Sequence, residues 1–69
     1  MLNSLEDYRE AGYRVALSRR HGTPDAEFFF RWYVEALRLE RGDDKRRAEE
    51  AYIEGYKSLP PLSSYTISR

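Results

Sequence analysis

The chain has 69 residues and a mass of 8.2 kDa, which allows one small domain and excludes large multidomain enzymes. It contains no cysteine, so disulfide frameworks, Cys-based zinc sites and thiol nucleophiles are excluded. Twelve Lys and Arg balance twelve Asp and Glu, leaving no net charge to draw the chain toward nucleic acid or an acidic membrane.

The first helical pattern covers residues 4–20. Ser4 and Asp7 have the spacing of a capping box, and Leu5, Tyr8, Gly12, Val15 and Ala16 recur at helical spacing as one apolar stripe. Arg19 and Arg20 fall in the last turn, where positive charge suits the helix dipole, and Gly22 supplies the stop. Thr23-Pro24-Asp25 opens a second helix over 24–41, with Thr23 as the capping acceptor and Pro24 in the first turn. From Phe28 to Leu39 this segment is apolar on several sides. Three consecutive Phe residues cannot share one stripe, because neighbours on a helix lie about 100° apart. The pattern therefore makes the second helix the central element, covered on more than one face.

Gly42-Asp43-Asp44 ends that helix and caps a third over 44–58, whose buried side carries Ala48, Tyr52, Gly55, Tyr56 and Leu59. Pro60-Pro61 closes it. The tail, 60–69, places Tyr65 and Ile67 two apart, the spacing of extended chain. The expected fold is all-α: an N-terminal helix plus an antiparallel helical hairpin with a short extended C-terminal tail, forming a single domain over 1–69. Gly12 and Gly55 each stand mid-helix, where glycine costs about 0.5–1 kcal/mol against alanine; close backbone contact is what would offset that cost.

Within the hairpin, Trp32-x₂-Glu35-Ala36-x₂-Leu39 followed by Ala48-x₃-Tyr52-x₂-Gly55-x₄-Pro60 resembles the tetratricopeptide repeat. The match runs from Trp32 to Pro60. It departs at Glu35, where the family has Leu, at Leu39, where it has Tyr, and in the turn. The resemblance implies a tight seam of Ala36, Ala48 and Gly55 between the second and third helices. It also implies a peptide-binding groove carrying Phe30, Tyr33, Leu37, Glu40 and Arg41. One such repeat cannot bury its own faces, so a homodimer is expected. In size and helicity the chain also resembles the small early proteins that bacteriophages use to disable host regulators, including the anti-quorum-sensing type; that resemblance implies an inhibitor or anti-activator.

Catalytic chemistry has little to stand on. His21 is the only histidine and sits at a helix end. No Ser, Thr or Tyr has a sequence-visible base, and no glycine-rich phosphate loop exists. Asp43-Asp44 and Glu49-Glu50 are helix neighbours that point apart, unlike a metal site or an acid–base pair. No enzyme activity, metal or cofactor is expected. Two basic clusters, Arg19-Arg20-His21 and Arg38/Arg41 with Lys45-Arg46-Arg47, could meet phosphates, but Glu40, Asp43, Asp44, Glu49 and Glu50 interrupt the second. Nucleic-acid binding and a small structural or assembly role stay as rivals.

The positive signal is the ten aromatic residues, of types that dominate binding hot spots. Three short helices cannot enclose ten rings. Tyr8, Phe29, Trp32 and Tyr52 are read as core. Tyr13, Leu17, Phe30, Tyr33, Leu37, Arg41, Tyr56 and Tyr65 are the candidate partner-binding residues. No run approaches the roughly 20 apolar residues of a membrane span, and Met1 to Glu10 lacks the basic-then-apolar pattern of a secretory signal. The expectation is a cytoplasmic protein that binds and blocks or sequesters another protein without catalysis.

Overall fold

The computed structural model describes residues 2–59, and among them the secondary structure is three α-helices with no strand: α1 (Leu5–His21), α2 (Asp25–Arg38) and α3 (Gly42–Lys57). The all-α class and the helix-plus-hairpin layout are as the sequence implies. The expected tail 60–69, Tyr65 included, lies outside the described residues.

The start of α1 follows its sequence signals. Ser4 is the N-cap and its hydroxyl oxygen accepts the backbone N–H of Asp7 at 3.2 Å. Gly22 closes the helix in the left-handed region (φ 71°), and its N–H returns to the Ser18 carbonyl. The other two starts differ from expectation. Thr23 does not cap α2; the N-cap is Pro24, with no side-chain capping bond. Helix α3 begins at Gly42, two residues early, behind an extended Arg41 (φ −135°, ψ 148°). Helix α2 stops at Arg38, three residues short of the expected end. The Leu39 and Glu40 N–H groups bond back to Ala36 and Leu37 at 3.1 Å, tightening the turn and swinging Glu40 inward.

The expected centre of the molecule is displaced. Helix α1, not α2, packs against both others, and α2 and α3 touch each other least. Tyr8 meets Trp32 and Tyr33, Arg14 lies over Phe29, and residues 2 and 3 reach Glu40, so α2 runs antiparallel to α1. Arg9 meets Glu54 and Arg19 meets Tyr56, so α3 runs parallel to α1. The reason is side-chain size. Small buried residues concentrate on α1 (Ala11, Gly12, Ala16, Ser18) and α3 (Ala48, Ala51, Gly55), whereas α2 presents bulky rings that hold it further away.

The tight seam consequently joins α1 to α3, not α2 to α3 through Ala36, Ala48 and Gly55. A Cβ on Gly12 would collide with the Tyr52 carbonyl oxygen and stand 3.0 Å from the Tyr56 nitrogen. A Cβ on Gly55 would collide with the Arg9 carbonyl oxygen and stand 2.7 Å from its carbon. The two mid-helix glycines thus offset their propensity cost by letting two backbones touch. Tyr8 and Val15, both fully buried, fill the centre behind this seam, with Tyr33, Ala36 and Tyr52 completing the core.

Candidate binding surface

The residues that sequence reasoning assigned to partner binding separate into three groups. Tyr33 is not an open groove residue: it is 9% exposed and belongs to the core, and Leu37 packs half-buried against it. Tyr13 is exposed and Leu17 half-buried, one turn apart on α1; Arg41 is exposed at the N-cap of α3. Phe30 (43% exposed) and Tyr56 (38%) stand at the surface on α2 and α3.

Phe30 and Tyr56 are nevertheless joined through the core. The Phe30 ring lies 6.4 Å from Tyr33, Tyr33 stacks on Tyr52 with centroids 3.7 Å apart and planes within 13°, and Tyr52 lies 6.4 Å from Tyr56. At the far end the Arg19 guanidinium donates to the Tyr56 hydroxyl at 3.5 Å. Four rings from two helices therefore form a continuous run, fixed in its middle by a buried stack and open at both ends. Helical spacing alone cannot show this, because the stack depends on the meeting of α2 and α3.

Electrostatics keep the run neutral in the middle and positive at one end. Burial raises the Tyr33 hydroxyl pKa, helped by nearby Glu49, and burial raises that of Tyr52, opposed by Arg19. Both phenols stay protonated at physiological pH and can donate hydrogen bonds. Beyond Tyr56 a hollow of about 510 Å³ is lined by Ala16, Arg19, Arg20, Tyr56, Lys57 and Leu59, so basic groups frame the end of the aromatic strip.

Glu40 corrects another expectation. The groove reading placed it on the binding face, yet it is 4% exposed and holds the N-terminal end of α1. Its carboxylate accepts from the Tyr8 hydroxyl at 2.7 Å and from the Leu2 and Asn3 N–H groups at 3.1 and 3.4 Å. These donors, Tyr8 first, hold Glu40 below the usual carboxylate pKa. Burial, then the bond to Glu40, pushes the Tyr8 hydroxyl up to about 12, the opposite of what a phenolate nucleophile needs. This is a structural latch between α1 and the α2–α3 turn.

Acidic partners on the same helices occupy most of the basic cluster on α2 and α3. Arg46 bonds Asp43 at 2.7 Å and Glu50 at 2.9 Å, Arg47 pairs with Asp43 at 3.3 Å, and Arg38 with Glu35 at 3.6 Å. Among the described residues no group of three or more His, Asp or Glu side chains is placed to hold a metal ion, and no helix is long and apolar enough to cross a membrane.

Several exposed apolar residues were not singled out from sequence as binding candidates: Leu2, Phe28, Val34, Leu39 and Ile53. The signal for Phe28 was present in Phe28-Phe29-Phe30, which must spread round the helix. Leu39 was hidden because α2 was expected to continue past it. Comparison of the chain with known protein families, curated proteins and solved structures gave no match.

Proposed function

We propose that this chain is a non-catalytic binding protein that grips another polypeptide with Phe30, Tyr56 and Arg19, the exposed ends of an aromatic strip whose middle, Tyr33 stacked on Tyr52, is buried, and so blocks or sequesters it. The observation that carries the reading is the continuity of that strip. Rigid rings set by a buried stack lose little conformational freedom on binding, and Tyr and Arg are the side chains that supply most binding energy at interfaces. The basic frame around Tyr56 favours a partner surface with an acidic side chain beside apolar ones. The pairing of Arg46 and Arg47 with carboxylates weighs against a phosphate-binding role.

The test is capture from lysate by the immobilised chain, identification by mass spectrometry, and titration of the purified captured protein. Phe30→Ala with Tyr56→Ala should weaken affinity roughly tenfold or more while the helical circular dichroism is retained. Unchanged affinity in that double variant refutes the proposal. So does salt-sensitive binding to DNA or RNA that disappears on Arg46→Glu with Arg47→Glu, which would assign the chain to nucleic acid.

A further inference from the structure

The strip leaves the opposite side of α2 unexplained. Phe28 (69% exposed) and Leu39 (64%) stand there, three helical turns or about 16 Å apart. At about 100° per residue, the exposed Glu27, Phe28, Arg31, Glu35, Arg38 and Leu39 share an arc of about 120°. Glu27 and Arg38 lie along one edge, Phe28 and Leu39 along the other, and Arg31 and Glu35 between them.

This surface is complementary to itself when turned end for end about a point near residue 33. We propose that a second copy of the chain packs antiparallel along α2, related by a two-fold axis perpendicular to the helix. Such an axis brings each edge against the same edge of the other copy with its direction reversed. Phe28 then meets Leu39 of the second copy, Glu27 meets its Arg38, and Arg31 meets its Glu35. All three contacts are favourable in kind, and each occurs twice. A parallel two-fold pairing would instead set the charged edge of each copy against the apolar edge of the other, with Glu27 facing Phe28 and Arg38 facing Leu39.

Two surface hollows fit the same geometry, and Trp32 walls both. One, of about 310 Å³, opens beside Phe28 over Phe29 and Ala11; the other, of about 440 Å³, opens beside Leu39 over Ala36 and Asn3. The axis carries Leu39 of the second copy toward the first hollow and its Phe28 toward the second. Within one copy the Glu27–Arg31 and Glu35–Arg38 pairs are loose, at 4.0 and 3.6 Å, and exposed, so exchanging them across an interface loses little. Phe30, Tyr56 and Arg19 lie off this arc and stay exposed in this arrangement, so the dimer and the capture of another protein are independent.

Sedimentation equilibrium and native mass spectrometry test it. The wild-type chain should be dimeric at tens of micromolar, and Phe28→Asp or Leu39→Asp should weaken the dimer roughly tenfold or more. Glu27→Arg and Arg38→Glu, each alone, place like charges at both occurrences of the Glu27–Arg38 contact and should weaken the dimer too. Mixing these two variants should restore dimers containing one chain of each, because every reversed charge then faces its opposite. A change that merely loosened the fold would not be rescued by mixing. A wild-type monomer across the concentration range, dimers indifferent to Phe28→Asp, or no preference for the mixed pair would each overturn the proposal.

Discussion

Gly12→Ala sets two physical effects of opposite sign against each other. Helix propensity alone favours alanine by about 1 kcal/mol in a helix interior. Yet the new methyl would collide with the Tyr52 carbonyl oxygen and lie 2.9 Å from its carbon, and both obstacles are backbone that cannot rotate aside. The helices must separate until ordinary contact near 3.4–4 Å returns. A gap of about 0.5–1 Å along a packed seam forfeits a quarter to a half of the dispersion attraction there, and overpacking costs about 1–3 kcal/mol. With rigid backbone on both sides the upper figure applies, so the net loss is about 2 kcal/mol after the propensity gain. A domain of this size has about 3–10 kcal/mol in all, so Tm should fall by about 8–16 °C. The assay is thermal and urea unfolding followed by circular dichroism at fixed protein concentration, since self-association shifts Tm by mass action. Gly55→Ala should behave alike, and the double variant should lose less than the sum, because the first methyl has already parted the seam. A Gly12→Ala protein as stable as wild type, or more so, would refute the close-approach reasoning.

The Tyr8–Glu40 latch predicts a two-sided pH dependence. Glu40 has a lowered folded-state pKa, so its stabilisation is present above the ordinary value of 4.5 and is lost as pH falls through the folded value; Glu40→Gln should flatten the acid limb of the urea midpoint, leaving the share due to Asp43, which Arg46 also lowers. Tyr8 has a raised pKa, so its contribution is intact below 10.0 and lost as pH rises toward about 12; Tyr8→Phe should reduce that alkaline limb, leaving the part due to Tyr33 and Tyr52. Ser4→Ala removes the α1 cap and should lower stability by about 1 kcal/mol, read as a Tm decrease of about 4–8 °C. Tyr33→Ala should lower stability by about 3 kcal/mol or more through loss of a buried stacked ring, whereas Phe30→Ala should cost less than about 1 kcal/mol; equal Tm values for the two would contradict their assignment to core and surface.

The candidate surface was partly legible from the sequence. Too many rings for three helices meant that some must remain outside, and Tyr13, Phe28, Phe30 and Tyr56 do. Phe30 is exposed because it falls off the main apolar stripe of α2, whereas Tyr56, which helical spacing also places on the buried side of α3, is exposed at the edge of that side. Tyr33 and Glu40 were misplaced because both lie on a side of α2 or its turn that points toward α1. A helix pattern shows that a side is apolar without showing which neighbour will cover it.

The sequence by itself determined what depends on short-range chemistry: three helices, the Ser4 cap, the Gly22 stop, and the need of Gly12 and Gly55 for close contact. Each follows from backbone sterics and hydrogen bonds within a few residues. Only the tertiary structure decided which helices meet. A glycine signals that some backbone approaches, and its identity depends on the competing bulk of every other face. Rings on α2 kept that helix away, so the small residues of α1 and α3 found each other. The same long-range choice stacked Tyr33 on Tyr52, buried Glu40 beneath Tyr8, and left the outward arc of α2 to solvent.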